Sequence, residues 1–131
     1  MSARRIRVQS DGHMVNVWIY PTREAMTRAA SRYTGETFGE NLGGVAQQTH
    51  DDEGRTYTSH IRLCEGYLSL DVVCHEMHHS VTAIYGSMLA DDVTAREVLT
   101  HVNEEFAYLY SNLLSRLVTR LYALGYYEEA T

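Results

Sequence analysis

The hydrophobic pattern of this chain changes period about halfway along, and that change restricts the fold more than any single residue does. The first half alternates. Arg4 to Gln9 sets Ile6 and Val8 between polar neighbours, and Met14 to Tyr20 sets Val15, Val17 and Ile19 against Asn16 and Trp18, the period of half-buried strands. Ser10-Asp11-Gly12 between them predicts a hairpin turn. Pro21 and Thr22 open a helix with Glu24 in its first turn, Ala25, Met26, Ala29, Ala30 and Tyr33 at helical spacing, and Gly35 as its stop. The segment with Gly39, Gly43 and Gly44 lacks the lysine and strand-to-helix setting of a phosphate loop and reads as connection. Val45 to His50 and Thr56 to Leu63 predict a second strand pair across Asp51-Asp52-Glu53-Gly54.

Beyond this point the period is helical. Ser69 is positioned to cap a helix with Asp71 in its first turn and Leu70, Val73, Met77, Ile84 and Met88 along one stripe, broken between Gly86 and Asp92. A third helix is expected from Asp92 or Thr94, where Thr94 and Glu97 have capping-box spacing, without interruption to about Leu124. Its stripe is Val98, Val102, Phe106, Leu109, Leu113, Leu117 and Leu121. The expected fold is therefore α+β: a small mixed or antiparallel sheet of roughly three to five short strands, one N-terminal helix, and two packed C-terminal helices. At 131 residues, one domain spanning 1–131 accommodates all of this.

Composition removes several classes of function. A formal charge of -6 and the absence of lysine disfavour nucleic acid, whose binding draws on cationic side chains; Arg4, Arg5 and Arg7 read as a solvated strand face. No apolar run approaches the length that spans a bilayer, so no membrane association is expected. Cys64 and Cys74 allow at most one disulfide, and no apolar leader precedes the first strand, which makes the cytoplasm the expected location. Oligomeric state is not legible.

The second predicted helix carries Cys74-His75-Glu76-Met77-His78-His79, and within it His-Glu-x-x-His. Histidines four apart on a helix project from one face, one turn from each other, so His75 and His79 can share one ion. Glu76 stands beside them, placed to take a proton from a water on that ion. Catalytic zinc takes three protein ligands and leaves a fourth position open, so Zn2+ requires one more donor. On a continuous third helix Glu97, His101, Glu104 and Tyr108 would share a face, and Glu104 is preferred to Glu105, which points about 100° away. His78 and Cys74 are rotated from the ligand pair, and Cys64, His13, His50 and His60 show no ligand spacing.

His-Glu-x-x-His followed by Asn103-Glu104-x-x-Ala107-Tyr108 resembles the gluzincin pattern of thermolysin-like metallopeptidases, and most closely the small minimal zincins of phage and bacterial origin. The resemblance covers roughly residues 55–110. It implies a zincin-like metallopeptidase domain with His75, His79 and Glu104 as zinc ligands and Glu76 as general base. Tyr108 stands where the thermolysin-like enzymes have an aspartate that orients a histidine ligand; a tyrosine hydroxyl could do the same work or polarise a substrate carbonyl. His101 is a candidate for supporting a ligand or the transition state. The resemblance also implies a peptide or protein substrate added to an edge strand before the motif, which the sequence places at Thr56 to Leu63, and action in a host cytoplasm if the chain is phage-encoded.

Two other readings fit the same residues. A zincin-fold binding or regulatory protein could keep the metal for structure alone. A carboxylate-bridged di-iron or di-manganese site using His101 and Glu104 would need ligands from four bundle helices, more than the strand-rich first half leaves room for.

Overall fold

A computed structural model describes residues 3–39, 42–53 and 56–127, apart from the side chains of Thr56 and Tyr57. Gly54 of the expected second turn lies outside the described residues. Strands β1 (Arg4–Ser10) and β2 (His13–Tyr20) form the expected hairpin. Its two turn residues, Asp11 and Gly12, both have positive φ (52° and 81°), the type I′ geometry whose twist matches that of the flanking strands. Helix α1 (Arg23–Thr34) begins where Thr22 accepts a hydrogen bond from the Ala25 amide (3.1 Å) and ends at Gly35 (φ 77°), whose amide donates to the Ser31 carbonyl.

Strands β3 (Gly44–His50) and β4 (Thr56–Cys64) pair antiparallel, and β4 also pairs parallel with β2. The sheet is therefore mixed and four-stranded, in the order β1-β2-β4-β3. This order corrects one expectation. Thr56 to Leu63 cannot be an edge that accepts a peptide, because β2 and β3 occupy both of its sides; the free edges among the described strands are β1 and β3. The parallel β2–β4 pairing is responsible, since the chain crosses over through α1 and lays β3 outside β4 before returning.

Strand alternation sorts the side chains onto two faces. Ile6, Val8, Val15, Val17, Ile19, Ile61 and Leu63 point to one face and are buried beneath α2 (Leu70–Met88) and α4 (Glu104–Ala123). Those helices return Val73, Met77, Val81 and Ile84 from α2, and Leu109, Leu113, Leu117 and Leu121 from α4. Each such side chain contributes about 1.5–3 kcal/mol on burial, which makes this layer the principal source of stability. Beneath α1, on the other face, the core is small: Tyr20, Met26 and Cys64, with buried Arg62 donating to Gln47 Oε1 and to the Tyr20 hydroxyl, both at 2.7 Å. Both cysteines are free thiols. No helix among the described residues is long and apolar enough to cross a membrane.

The C-terminal half departs from expectation most at the third helix. The uninterrupted third helix is instead a single turn, α3 (Ala95–Val98), a break, and then α4. Thr94 caps α3 as its spacing predicts, accepting from the Glu97 amide. Asn103 makes the break: its Oδ1 accepts from the Phe106 amide (3.1 Å) and caps α4, while its Nδ2 donates to the Val98 carbonyl at the end of α3 (2.9 Å). One amide thus serves two helix ends. Val102, expected in the apolar stripe, is 63% exposed as a result. Leu70 and Met88, at the two ends of α2, are also exposed, so the stripe of that helix is shorter than its sequence implies.

Candidate metal centre

Helix α2 lies over β4 and β3 with one side against the sheet and the neighbouring side against α4. Ser69 starts it, accepting from the Val72 amide, so the motif falls in the second and third turns, where backbone bonding is complete. Ser80 fixes the helix to the sheet through a buried 2.6 Å hydrogen bond with Ser59 of β4, and Gln48 of β3 donates to the same Ser59 oxygen. Tyr110 of α4 donates to the Cys74 carbonyl (3.2 Å), while His78 lies edge-on to Phe106 and Tyr110. His78 is therefore an α2–α4 contact, rotated about the helix from His75 and His79.

His75 and His79 project from the remaining side of α2, exposed, with ring centroids 4.8 Å apart and their Nε2 atoms separated by 3.2 Å. That spacing tests whether the pair fits a metal. Two nitrogens bound at about 2.05 Å to one tetrahedral zinc lie roughly 3.3 Å apart, so the imidazoles already hold the bite of such an ion. Two protonated rings at this distance would repel each other, whereas two neutral rings can share either an N–H···N hydrogen bond or one cation between their lone pairs. Glu76 completes a group whose donor atoms all lie within 4.8 Å of one another. The two imidazoles are donors of the kind that zinc and related transition ions accept, with the Glu76 carboxylate beside them.

Glu76 differs from its neighbours in burial: it is 6% exposed. Burial pushes its carboxyl above the ordinary glutamate range, and positive charge on His75 and His79 pulls it partly back. The space that holds it is made by Gly44 of β3, where an added Cβ would stand 2.9 Å from Glu76 Cγ and 3.2 Å from Leu63 Cδ2. The sequence alone places Gly44 in a connection. A glycine opening a strand is nevertheless a sequence signal for close approach, and here the approaching group is the motif glutamate.

The remaining expected site residues do not join this group. Glu104 is the first residue of α4 and is exposed; on a helical wheel it stands about 120–160° from Phe106 and Tyr110, the side chains of α4 that touch α2. Tyr108 is 62% exposed on α4, and His101 is exposed in the turn before it. The shared face expected for Glu97, His101, Glu104 and Tyr108 required an unbroken helix. The break at 99–103 resets the phase, so α3 and α4 no longer share one wheel. Asn103, adjacent to Glu104, lies 3.3 Å from the Tyr85 hydroxyl of α2, which fixes the start of α4 near the end of the motif helix. No family model matches the chain, and no curated protein or solved structure shows significant similarity to it.

Proposed function

We propose that this chain is a zinc-dependent hydrolase acting on amide bonds, with a peptide or protein as substrate class. The observation that carries the reading is the 3.2 Å separation of the His75 and His79 Nε2 atoms beside a buried carboxylate that belongs to the same helix. His75 and His79 would hold the ion. When bound, it would supply Lewis-acid polarisation of a substrate carbonyl and a water of lowered pKa.

Glu76 supplies the proton chemistry. Its carboxylate takes one proton from the attacking water as the carbon–oxygen bond forms, and its carboxylic acid returns that proton to the leaving nitrogen as the carbon–nitrogen bond breaks. Amide and water thus become acid and amine, with Glu76 restored. The upward push on its pKa suits both halves of this cycle, because a poorly solvated carboxylate is a stronger base and its acid form is easier to reach near neutrality. Gly44 and the Ser59–Ser80 bond hold it in place from the sheet side.

The resemblance to gluzincins assigns the third ligand to Glu104, which stands outside the cluster, so the reading carries a requirement: Glu104→Gln must weaken zinc binding. It also moves the substrate strand. Among the described strands, β3 is the free edge adjacent to Glu76 and offers the main-chain groups that β4 cannot. The test is turnover of a quenched-fluorescence peptide library by the zinc-loaded protein. Glu76→Gln should abolish cleavage while zinc stays bound. If no peptide is cleaved by the zinc-loaded wild type, the hydrolase reading fails and the metal-structured binding protein replaces it.

A further inference from the structure

The sheet has a second free edge, on the side away from the metal centre, and its chemistry is different. Strand β1 is outermost, and α4 runs beside it. In a hairpin closed by a two-residue turn, Ser10 and His13 form a hydrogen-bonded pair, so main-chain pairing to β2 falls at Ser10, Val8, Ile6 and Arg4. The amides and carbonyls of Arg5, Arg7 and Gln9 consequently point outward along the edge. Between this edge and the outer flank of α4 lies a depression of about 340 Å³ lined by Arg7, Gln9, Ser115, Arg116, Thr119 and Arg120.

Among the described residues no carboxylate lines it. The chain as a whole carries a charge of -6, yet three arginines converge here. Arg116 and Arg120 are exposed one turn apart on α4, where like charges repel, and neither guanidinium has an acidic partner among the described residues. Arg7 leaves β1 on the face opposite Ile6 and Val8 and bonds Asn16 Oδ1 through Nε at 3.3 Å, with no partner for its terminal nitrogens among the described residues. The edge is therefore flanked by cations on both faces.

We propose that the β1 edge and the α4 flank form a docking site for an extended acidic peptide segment, which adds to the sheet as a further strand. Successive side chains of such a strand point to opposite faces, so neighbouring acids reach Arg116 and Arg120 on one side and Arg7 on the other. A second copy of this chain is disfavoured by the same charges, since β1 against β1 centred on Arg7 would oppose arginine to arginine. A nucleic acid would use the guanidinium groups but leave the main-chain edge unpaired. The site is independent of the metal centre.

The experiment uses a fluorescein-labelled ten-residue peptide of glutamate and threonine, its lysine counterpart, and a single-stranded oligonucleotide of matched charge, with binding read by anisotropy. The glutamate peptide should bind saturably, weaken about tenfold or more in the Arg116→Gln/Arg120→Gln double variant, and slow amide exchange at Arg5, Arg7 and Gln9 in the wild type. The lysine peptide should not bind. Unchanged affinity in the double variant, or no added protection along β1, would overturn the proposal, as would an oligonucleotide that binds as tightly as the peptide with the same sensitivity to the double substitution.

Discussion

Replacing Gly44 by alanine tests how the buried glutamate is accommodated. The added methyl would meet Glu76 Cγ at 2.9 Å, Leu63 Cδ2 at 3.2 Å and the Arg62 carbonyl at 3.4 Å, against the roughly 3.5–4.0 Å of a relaxed carbon contact. Neither side-chain neighbour gives way freely. Leu63 is fully buried, and Glu76, at 6% exposure, is enclosed by the sheet and its own helix. Relief requires off-rotamer side chains or a shift of α2, an overpacking cost of about 1–3 kcal/mol. Removing a glycine from a strand returns roughly 0.5–1 kcal/mol, leaving a net loss of about 0–2.5 kcal/mol. The assay is urea denaturation, in chelator, of four proteins: wild type, Gly44→Ala, Glu76→Ala and the double variant. Truncating Glu76 removes the nearest clash, so Gly44→Ala should cost about 1 kcal/mol less in that background. An equal effect of Gly44→Ala in both backgrounds would refute the claim that Gly44 makes room for Glu76.

Asn103→Ala should lose about 1.5–2.5 kcal/mol by the same assay, because one side chain bonds the Phe106 amide and the Val98 carbonyl; Asn103→Asp keeps the cap, loses the donor, and should recover only part of this. Leu113→Ala, at a fully buried position in α4, should cost about 2–5 kcal/mol, and a smaller loss would mean that the α4–sheet layer is looser than described. His60 makes stability pH-dependent. Burial first, and then the Arg62 charge, lower its pKa, so below about pH 6.5 the unfolded chain takes up a proton that the folded chain resists. Stability should fall as pH drops from there through the folded pKa and then level off, and His60→Gln should flatten that limb; an unchanged limb would assign it to other groups.

How much of this was legible from residues alone depended on whether the signal was local. Thr22, Gly35, Asp11-Gly12, Ser69 and Thr94 each act on backbone groups within a few positions, and each is found doing what its spacing implies. The His75, Glu76 and His79 cluster is local in the same sense, one turn of one helix. Strand order was not legible, because the parallel β2–β4 pairing joins segments separated by a helix and another strand, and it moves Thr56 to Leu63 from edge to interior. The single long helix failed for a subtler reason. Asn103 sits inside a run whose apolar spacing continues through Val98, Val102 and Phe106, and only its bonds to both helix ends reveal the break. Gly44 was passed over because its value lies in a contact with Glu76, thirty-two positions away.

Every catalytic role proposed above requires His75 and His79 to grip one ion. Elemental analysis of protein prepared without a polyhistidine tag, equilibrated with zinc and then freed of excess metal, tests this directly for wild type, Glu76→Gln and His79→Ala. About one zinc per chain is expected in the first two and little in the third. Zinc absent from the wild type, or retained undiminished by His79→Ala, would contradict the account.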